Sequence, residues 1–102
     1  MPPSSVMADL LSDSDVDDAL RALPQWRRVD SSIVRTVELP TFPTAIEFVS
    51  RVAAAAEAAD HHPDIDIRWR KLTFTLSTHS AGGLTQKDVD LAHRIDALLP
   101  ED

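Results

Sequence analysis

The chain has 102 residues, the length of one ordinary domain and too short for two. Hydrophobic residues make up 43% and charged residues 26% of the chain, as in folded proteins rather than disordered ones. A net charge of -7 provides no basic field for a phosphate backbone, so nucleic acid is a poor candidate partner. The absence of cysteine excludes disulfides and thiolate metal sites.

The N-terminal residues show no targeting signal. They lack the basic start and apolar segment of a signal peptide, and no apolar run approaches the ~20 residues that cross a bilayer. We therefore expect a cytoplasmic protein with no membrane partner. Residues 1–8 have no periodicity and predict a disordered tail, whereas residues 9–102 are expected to form the single domain.

The first predicted helix begins at Ser12 or Ser14 and ends at Pro24. Either serine can cap its first turn, and the aspartates that follow favour the positive end of a helix dipole. An apolar stripe at helical spacing is formed by Val16, Leu20 and Leu23.

Alternating apolar and polar residues predict two β-hairpins. The first hairpin joins strands at 26–29 and 33–39 through a turn at 30–32. The second has its turn at 70–71, and its apolar residues are Ile65, Ile67, Trp69, Leu72, Phe74 and Leu76. Trp26 and Trp69 are interpreted as core or interface side chains rather than as stacking platforms.

The strongest helical pattern lies between the two hairpins, with Thr41 as its cap. Its apolar residues at helical spacing are Phe42, Ile46, Val49, Val52, Ala53 and Ala56. We expect this helix to stop near residues 60–62, because Pro63 pushes the residue before it out of helical geometry.

A final helix is predicted after the loop 81–83. Thr85 and Asp88 resemble a capping box in which aspartate replaces the usual Glu or Gln, and Pro100 ends the helix. The order of elements is α-β-β-α-β-β-α. It predicts an α+β fold with a four-stranded antiparallel sheet and three helices packed on one face.

Three of the four histidines can converge in such a fold. His61 and His62 lie where the second helix stops, and His79 follows the last strand in phase with its polar side. Imidazole donates or accepts a proton near neutral pH, so the group indicates an acid/base site. Glu57 precedes His61 by four residues, and we expect its carboxylate to orient that ring. We expect His62, displaced from helical phase by Pro63, to face the same cavity.

Other interpretations of the histidines remain open. A histidine pair at a helix C-terminus is favourable by itself, because positive charge suits that end of the dipole. Three histidines could also hold zinc, although adjacent histidines bind one ion awkwardly and helical zinc motifs use histidines four residues apart. His93, on the last helix, is interpreted as a surface or partly buried residue.

Seven positions at fixed spacing carry a family resemblance, namely Glu57, His61, His62, Pro63, Trp69, His79 and Asp88. Their spacing resembles the signature of the pterin-4a-carbinolamine dehydratases, and segments 76–79 and 83–85 are similar to that family as well. The similarity extends from about residue 9 to residue 99.

The resemblance implies a reaction and a set of residues that perform it. Water is removed from 4a-hydroxytetrahydropterin, which aromatic amino-acid hydroxylases form, to yield quinonoid dihydropterin. The implied catalytic residues are His61, His62 and His79, with Glu57 and Asp88 as supporting carboxylates. The implied pterin-lining residues are Asp60, His61, His62, Ser77, Thr78, His79 and Ser80.

The resemblance also implies that neither a metal nor an organic cofactor is needed, and that the chain forms homodimers or homotetramers. Two alternatives to the enzyme remain. In animals a family member is also a dimerisation partner of a homeodomain transcription factor, which would make this chain a protein-binding coactivator module. The other alternative is a pterin-binding protein without turnover.

Overall fold

The structure is a computed structural model that describes residues 9–100. Its elements are α1 (Asp13–Arg21), β1 (Arg27–Val29), β2 (Ser32–Glu38), α2 (Phe42–Ala59), β3 (Asp64–Arg68), β4 (Lys71–Leu76), a 3₁₀ helix (His79–Ala81) and α3 (Gln86–Leu98). The predicted α+β class and order of elements are confirmed. The predicted tail at 1–8 and the last two residues of the predicted domain lie outside the described residues. Within residues 9–100, none of the helices has the length and hydrophobicity of a transmembrane span.

The four strands form one antiparallel sheet in the order β1-β2-β4-β3. β2 and β4 lie in its centre, where Ile33 pairs with Leu76 and Val37 pairs with Leu72. β1 and β3 form the two edges. β4 ends at Leu76, which pairs with Ile33 near the start of β2. The loop that follows β4 therefore begins in the middle of one end of the sheet.

The second hairpin turns one residue earlier than predicted. Arg68 pairs with Lys71, so the turn consists of Trp69 and Arg70. Trp69 has a left-handed backbone with φ of 56°, and its residue is 84% exposed. The prediction that Trp69 lies in the core is therefore wrong. The alternative, that Trp69 lies in an interface, stays a prediction. Trp26, in contrast, is buried as predicted.

One apolar core lies between the sheet and the helices. The inward residues of β4 alternate with threonines, and Phe74 meets Phe48 of α2 edge-on with ring centroids 5.7 Å apart. The buried side chains of this core include Val16, Ile33, Val37, Phe48, Val52, Leu72, Phe74, Leu76, Leu91 and Ile95. Since all three helices contribute to the core that covers one sheet face, they pack on the same side, as predicted.

The buried face of α2 overlaps the predicted face only in part, since Val52 and Ala56 are buried as predicted whereas Ala53 is exposed. Phe42 and Ile46 are 51% and 40% exposed, so their predicted core positions are wrong. The buried residues of the helix are Ala45, Phe48, Val52, Ala55 and Ala56. The apolar side of α2 includes Phe42 and Ile46 as well as the buried residues, so helical spacing alone is compatible with more than one buried face.

Local chemistry fixes the helix ends. The side chains of Ser12, Thr41 and Thr85 accept backbone N–H groups in the first turns of α1, α2 and α3. α2 ends at Ala59, and Asp60 takes a left-handed conformation with φ of 52°. The predicted stop near residues 60–62 is confirmed, and His61 therefore follows the helix rather than belonging to it.

Candidate active site

His61 is a buried histidine just beyond the C-terminal end of α2. Its Nε2 lies 2.6 Å from Oδ1 of Asp88 in the first turn of α3. Asp88 is fully buried, and the predicted capping box with Thr85 is present and holds it in place. The hydrogen bond therefore joins the end of α2 to the start of α3.

The carboxylate of Asp88 is surrounded by donors. Its Oδ2 accepts from the Thr78 hydroxyl at 2.8 Å and from the backbone N–H of Thr85 at 2.9 Å. With the His61 ring, three donors face a carboxylate that water does not reach. A buried charge is tolerated in proteins when it is hydrogen-bonded in this way.

The same hydrogen bonds assign the tautomer of His61. An ionised carboxylate accepts hydrogen bonds and cannot donate them, so Nε2 of His61 carries a proton toward Asp88. The neutral ring then has its acceptor lone pair at Nδ1. Nδ1 is therefore the atom of this ring that can exchange a proton with a ligand.

Glu57 pairs with His62, and its predicted pairing with His61 is wrong. Oε1 of Glu57 lies 2.9 Å from Nε2 of His62, and both side chains are more than half exposed. Residues four positions apart are neighbours only when both belong to the same helix. α2 ends at Ala59, before His61, so this spacing does not bring Glu57 and His61 together.

His79 is the first residue of the 3₁₀ helix, and β4 ends three residues earlier at Leu76. The prediction that His79 continues the phase of the strand is therefore wrong, whereas its place beyond the strand end is confirmed. His79 is exposed, but its neighbour Thr78 is 3% exposed. The backbone N–H of Thr78 donates to the carbonyl of Gly83 at 2.9 Å, which anchors this loop.

A cavity of about 330 Å³ lies beside His61, between α2 and α3. It is lined by Ala55, Ala58, Ala59, His61, Lys87, Asp90, Leu91 and Arg94. Neither His62 nor His79 lines this cavity, and the expectation that His62 faces the same ligand as His61 stays a prediction. The convergence of all three imidazoles around one ligand stays a prediction. His93 is exposed, in agreement with its interpretation as a surface residue.

The other predicted pterin-lining residues lie in the loops after α2 and β4. Asp60 is the exposed C-cap of α2, and Ser80 is exposed in the 3₁₀ helix. The hydroxyl of Ser77 donates to the carbonyl of Ser31 at 2.9 Å. Their contact with a ligand stays a prediction, as does that of Thr78.

The sequence predicts Thr85 only as a helix cap. In the structure its hydroxyl is buried and lies 2.8 Å from the Thr78 hydroxyl, within the group around Asp88. The capping box was the available signal, since it places Thr85 beside Asp88. In residues 9–100, no three His, Asp or Glu side chains form a group that could hold a metal ion.

The fold and the buried His61–Asp88 pair define a small α+β protein with a candidate acid/base site. The model of the pterin 4 alpha carbinolamine dehydratase family matches residues 9–98. A Nocardia farcinica protein that carries the name of this dehydratase is 62% identical over 90 residues, which cover 88% of this chain and 95% of the relative. A protein of the same name from a Roseiflexus species is 57% identical over 93 residues, which cover 91% and 100%. The chain belongs to the pterin-4-alpha-carbinolamine dehydratase family.

Solved structures share the fold. The crystal structure of a transcriptional coactivator/pterin dehydratase from Brucella melitensis matches with a TM-score of 0.87 and 35% identity, over 90% of this chain and all of that chain. A pterin dehydratase-like protein identified as a RuBisCO assembly factor in the alpha-carboxysome has a TM-score of 0.64 and 21% identity, over 76% and 93%. At 21% identity, the similarity to the second protein shows a shared fold and nothing more.

Proposed function

We propose that this protein catalyses the dehydration of 4a-hydroxytetrahydropterin to quinonoid dihydropterin, and so recycles the pterin cofactor of aromatic amino-acid hydroxylases. Membership of the family supports the reaction class. The observation that carries the proposal is the hydrogen bond between His61 and Asp88, which holds one imidazole in a single tautomer beside a cavity.

The reaction requires two mild proton transfers. A proton is delivered to the departing 4a-hydroxyl, the C–O bond breaks, and water leaves. A second proton is removed from a ring nitrogen as a C=N bond forms at the same carbon. One proton is given and one is taken, so the site needs no net supply of protons. Imidazoles suit both steps, because their reference pKa of about 6.5 lies near neutral pH.

The three histidines receive different roles in this proposal. His62 and His79 are exposed and can exchange protons with the substrate and with water. Glu57 orients His62, with which it is paired. His61 is fixed by Asp88 and orients or polarises the pterin through Nδ1. We further propose that no metal or organic cofactor takes part, because imidazoles suffice for both proton transfers.

The loops that carry these histidines are proposed to line the pterin. Asp60 and Ser80 are exposed beside the functional histidines, and Ser77 lies between β4 and the 3₁₀ helix. Thr78 belongs to the same segment, but its hydroxyl is buried against Asp88. A ligand would therefore meet this segment chiefly through its exposed residues.

The test is the rate of dehydration of the 4a-carbinolamine with and without protein. The uncatalysed reaction is itself appreciable, so each rate is compared with a protein-free blank. We expect the wild type to exceed the blank, and alanine at His62 or His79 to lower kcat by about 10² to 10⁴, the range for lost acid/base groups. Alanine at His61 should lower kcat as well, because the pterin loses the ring that orients or polarises it.

Substitution of His93 by alanine is the matched control, because His93 is exposed on α3 and lies outside the proposed site. Urea unfolding of each variant separates lost chemistry from lost folding. A wild-type rate equal to the blank, or near-normal rates in all three folded alanine variants, would contradict the proposal.

A protein-binding module is the second candidate function. Its support is the Brucella melitensis relative, which is described as a transcriptional coactivator as well as a pterin dehydratase. A pull-down that recovers one protein partner in stoichiometric amount, together with a turnover rate equal to the blank, would favour this candidate over the enzyme.

We also propose that the chain forms a homodimer or homotetramer. Four large apolar side chains of α2 and the second hairpin are exposed, namely Phe42, Ile46, Ile67 and Trp69. Phe42 and Trp69 line one groove, and exposed apolar surface of this kind is typical of protein interfaces. Light scattering after gel filtration should give a multimer for the wild type and a smaller mass for Phe42→Glu, whereas a monomeric wild type would contradict the proposal.

A further inference from the structure

Two threonines extend the hydrogen-bond network behind His61. The Thr85 hydroxyl lies 2.8 Å from the Thr78 hydroxyl, which lies 2.8 Å from Oδ2 of Asp88. Oδ1 of Asp88 lies 2.6 Å from the His61 ring. All four residues are buried. A continuous chain of short hydrogen bonds therefore runs from the N-cap of α3 to the imidazole.

The direction of this chain follows from counting protons. Each threonine hydroxyl has one proton to donate, and the Asp88 carboxylate can only accept. Thr78 therefore donates to Asp88 and must accept the proton of Thr85. Thr85 in turn accepts the backbone N–H of Lys87 at 3.2 Å. Every donor points toward Asp88, so each bond strengthens the next.

The hydroxyl, backbone N–H and carbonyl of Thr78 all form hydrogen bonds within the protein. Its hydroxyl is shared between Asp88 and Thr85, and its backbone N–H donates to Gly83. Its carbonyl accepts from the N–H groups of Ala81 and Gly82, both at 3.0 Å. The side chain is thus committed to Asp88, which favours an indirect effect on the ligand over direct contact.

We propose that Thr78 and Thr85 are positioning residues, whose hydroxyls hold the Asp88 carboxylate so that His61 presents Nδ1 to the substrate. Without the Thr78 donor the carboxylate can rotate, and the ring that it fixes can shift or change tautomer. Small displacements of a functional group from its productive geometry are costly to catalysis. The kinetic consequence rests on the proposed dehydratase function, whereas the orientation of the ring can be measured without substrate.

The variants remove the hydroxyls with little change of shape. Thr78→Val and Thr85→Val replace each hydroxyl by a methyl group, and Thr78→Ser and Thr85→Ser keep it. Thr73→Val is the control for Thr78→Val, because the Thr36 and Thr73 hydroxyls form an exposed 3.0 Å pair on the sheet that does not involve Asp88. Thr41→Val is the control for Thr85→Val, because Thr41 is the N-cap of α2.

In steady-state kinetics we expect Thr85→Val to lower kcat about threefold to tenfold, the worth of roughly one hydrogen bond. Thr78→Val should lower kcat by more, because it removes a direct donor to Asp88. KM should change little, and the serine variants should recover most of the rate. A raised KM with unchanged kcat in Thr78→Val would instead indicate direct substrate contact and overturn the positioning role.

Nitrogen-15 NMR of the histidine rings measures the tautomer of His61, and so tests the positioning role without substrate turnover. In the wild type we expect His61 with protonated Nε2 and unprotonated Nδ1, and in both valine variants a mixture of tautomers. The serine, Thr73→Val and Thr41→Val proteins should retain the wild-type His61 spectrum. A wild-type rate equal to the blank would refute the proposed function, and the spectra would still decide the positioning. Identical His61 spectra in the wild type and both valine variants would overturn the positioning role of Thr78 and Thr85.

Discussion

His61 and Asp88 are 27 positions apart in the chain, yet their side chains form a 2.6 Å hydrogen bond inside the protein. The bond depends on the end of one helix meeting the start of another. It also fixes which nitrogen of His61 is available to a ligand. The structure therefore connects the packing of α2 on α3 with the state of the candidate catalytic ring.

Replacement of Asp88 by asparagine should reduce both stability and activity. The variant keeps the shape of the side chain but loses the negative charge and one of the two oxygens that accept from His61, Thr78 and the backbone of Thr85. One NH₂ group would then face donors in the buried site. We expect the free energy of unfolding to fall by about 1–3 kcal/mol, and kcat to fall with it, as measured by urea unfolding and by the dehydration assay.

Asp66→Asn provides the control for this change, because Asp66 is exposed on the edge strand β3 and pairs only with exposed Arg68. It should change the unfolding free energy by less than about 0.5 kcal/mol. Equal stability of the Asp88→Asn and wild-type proteins would contradict a structural role for the buried carboxylate.

Replacement of Glu57 by glutamine should affect catalysis without affecting stability. The Glu57–His62 pair is exposed, and exposed ion pairs contribute little to folding. Glutamine keeps an acceptor oxygen for His62 but loses the negative charge that strengthens the hydrogen bond. If Glu57 orients His62 as proposed, kcat should fall about threefold to tenfold, the difference between a charged and a neutral hydrogen bond. Thermal unfolding and the dehydration assay on one preparation measure both quantities. A large drop in melting temperature, or unchanged kcat, would count against the assigned role.

Replacement of Asp96 by alanine should destabilise the fold away from the candidate site. Oδ1 of Asp96 accepts from Nε1 of Trp26 and from Nη1 of Arg35. Arg35 is mostly buried, and its Nε has no hydrogen-bond partner, so the loss of Asp96 leaves a charge without compensation. We expect a loss of about 3 kcal/mol in urea unfolding. A loss below 1 kcal/mol would show that solvent reaches Arg35.

A matched pair of phenylalanine variants tests the orientation of α2. Phe48 is buried against Phe74, and Phe48→Ala should cost about 3–5 kcal/mol through the cavity it creates. Phe42 is half exposed in the monomer, and Phe42→Ala should cost far less. Urea unfolding of both variants at a protein concentration that gives monomers checks this order. Equal losses would indicate that α2 is rotated from the observed orientation.

Local chemistry made much of the fold predictable from the sequence. Proline at position 63 and the polar caps at Thr41 and Thr85 determined where helices begin and end, because those effects act within one turn. The alternation of Leu72, Phe74 and Leu76 likewise predicted the inward face of β4, which the structure confirms.

Features that depend on the whole fold were not predictable in the same way. The broad apolar side of α2 allowed Phe42 to be assigned to the core, whereas tertiary packing buries Phe48 and leaves Phe42 half exposed. The pairing of Glu57 was assigned by helical spacing, but Asp60 turns the chain out of the helix before His61. The partner of His61 is Asp88, and a contact over that separation follows from how α2 and α3 pack.

The most direct test of the proposed function is a crystal structure of the protein with a bound reduced pterin. We predict that the polar atoms of the pterin ring lie within hydrogen-bond distance, about 2.6–3.2 Å, of His61, His62 and His79, with Nδ1 of His61 facing the ligand. A pterin bound away from His61, or a His79 ring separated from the ligand by packed side chains, would contradict the proposed mechanism.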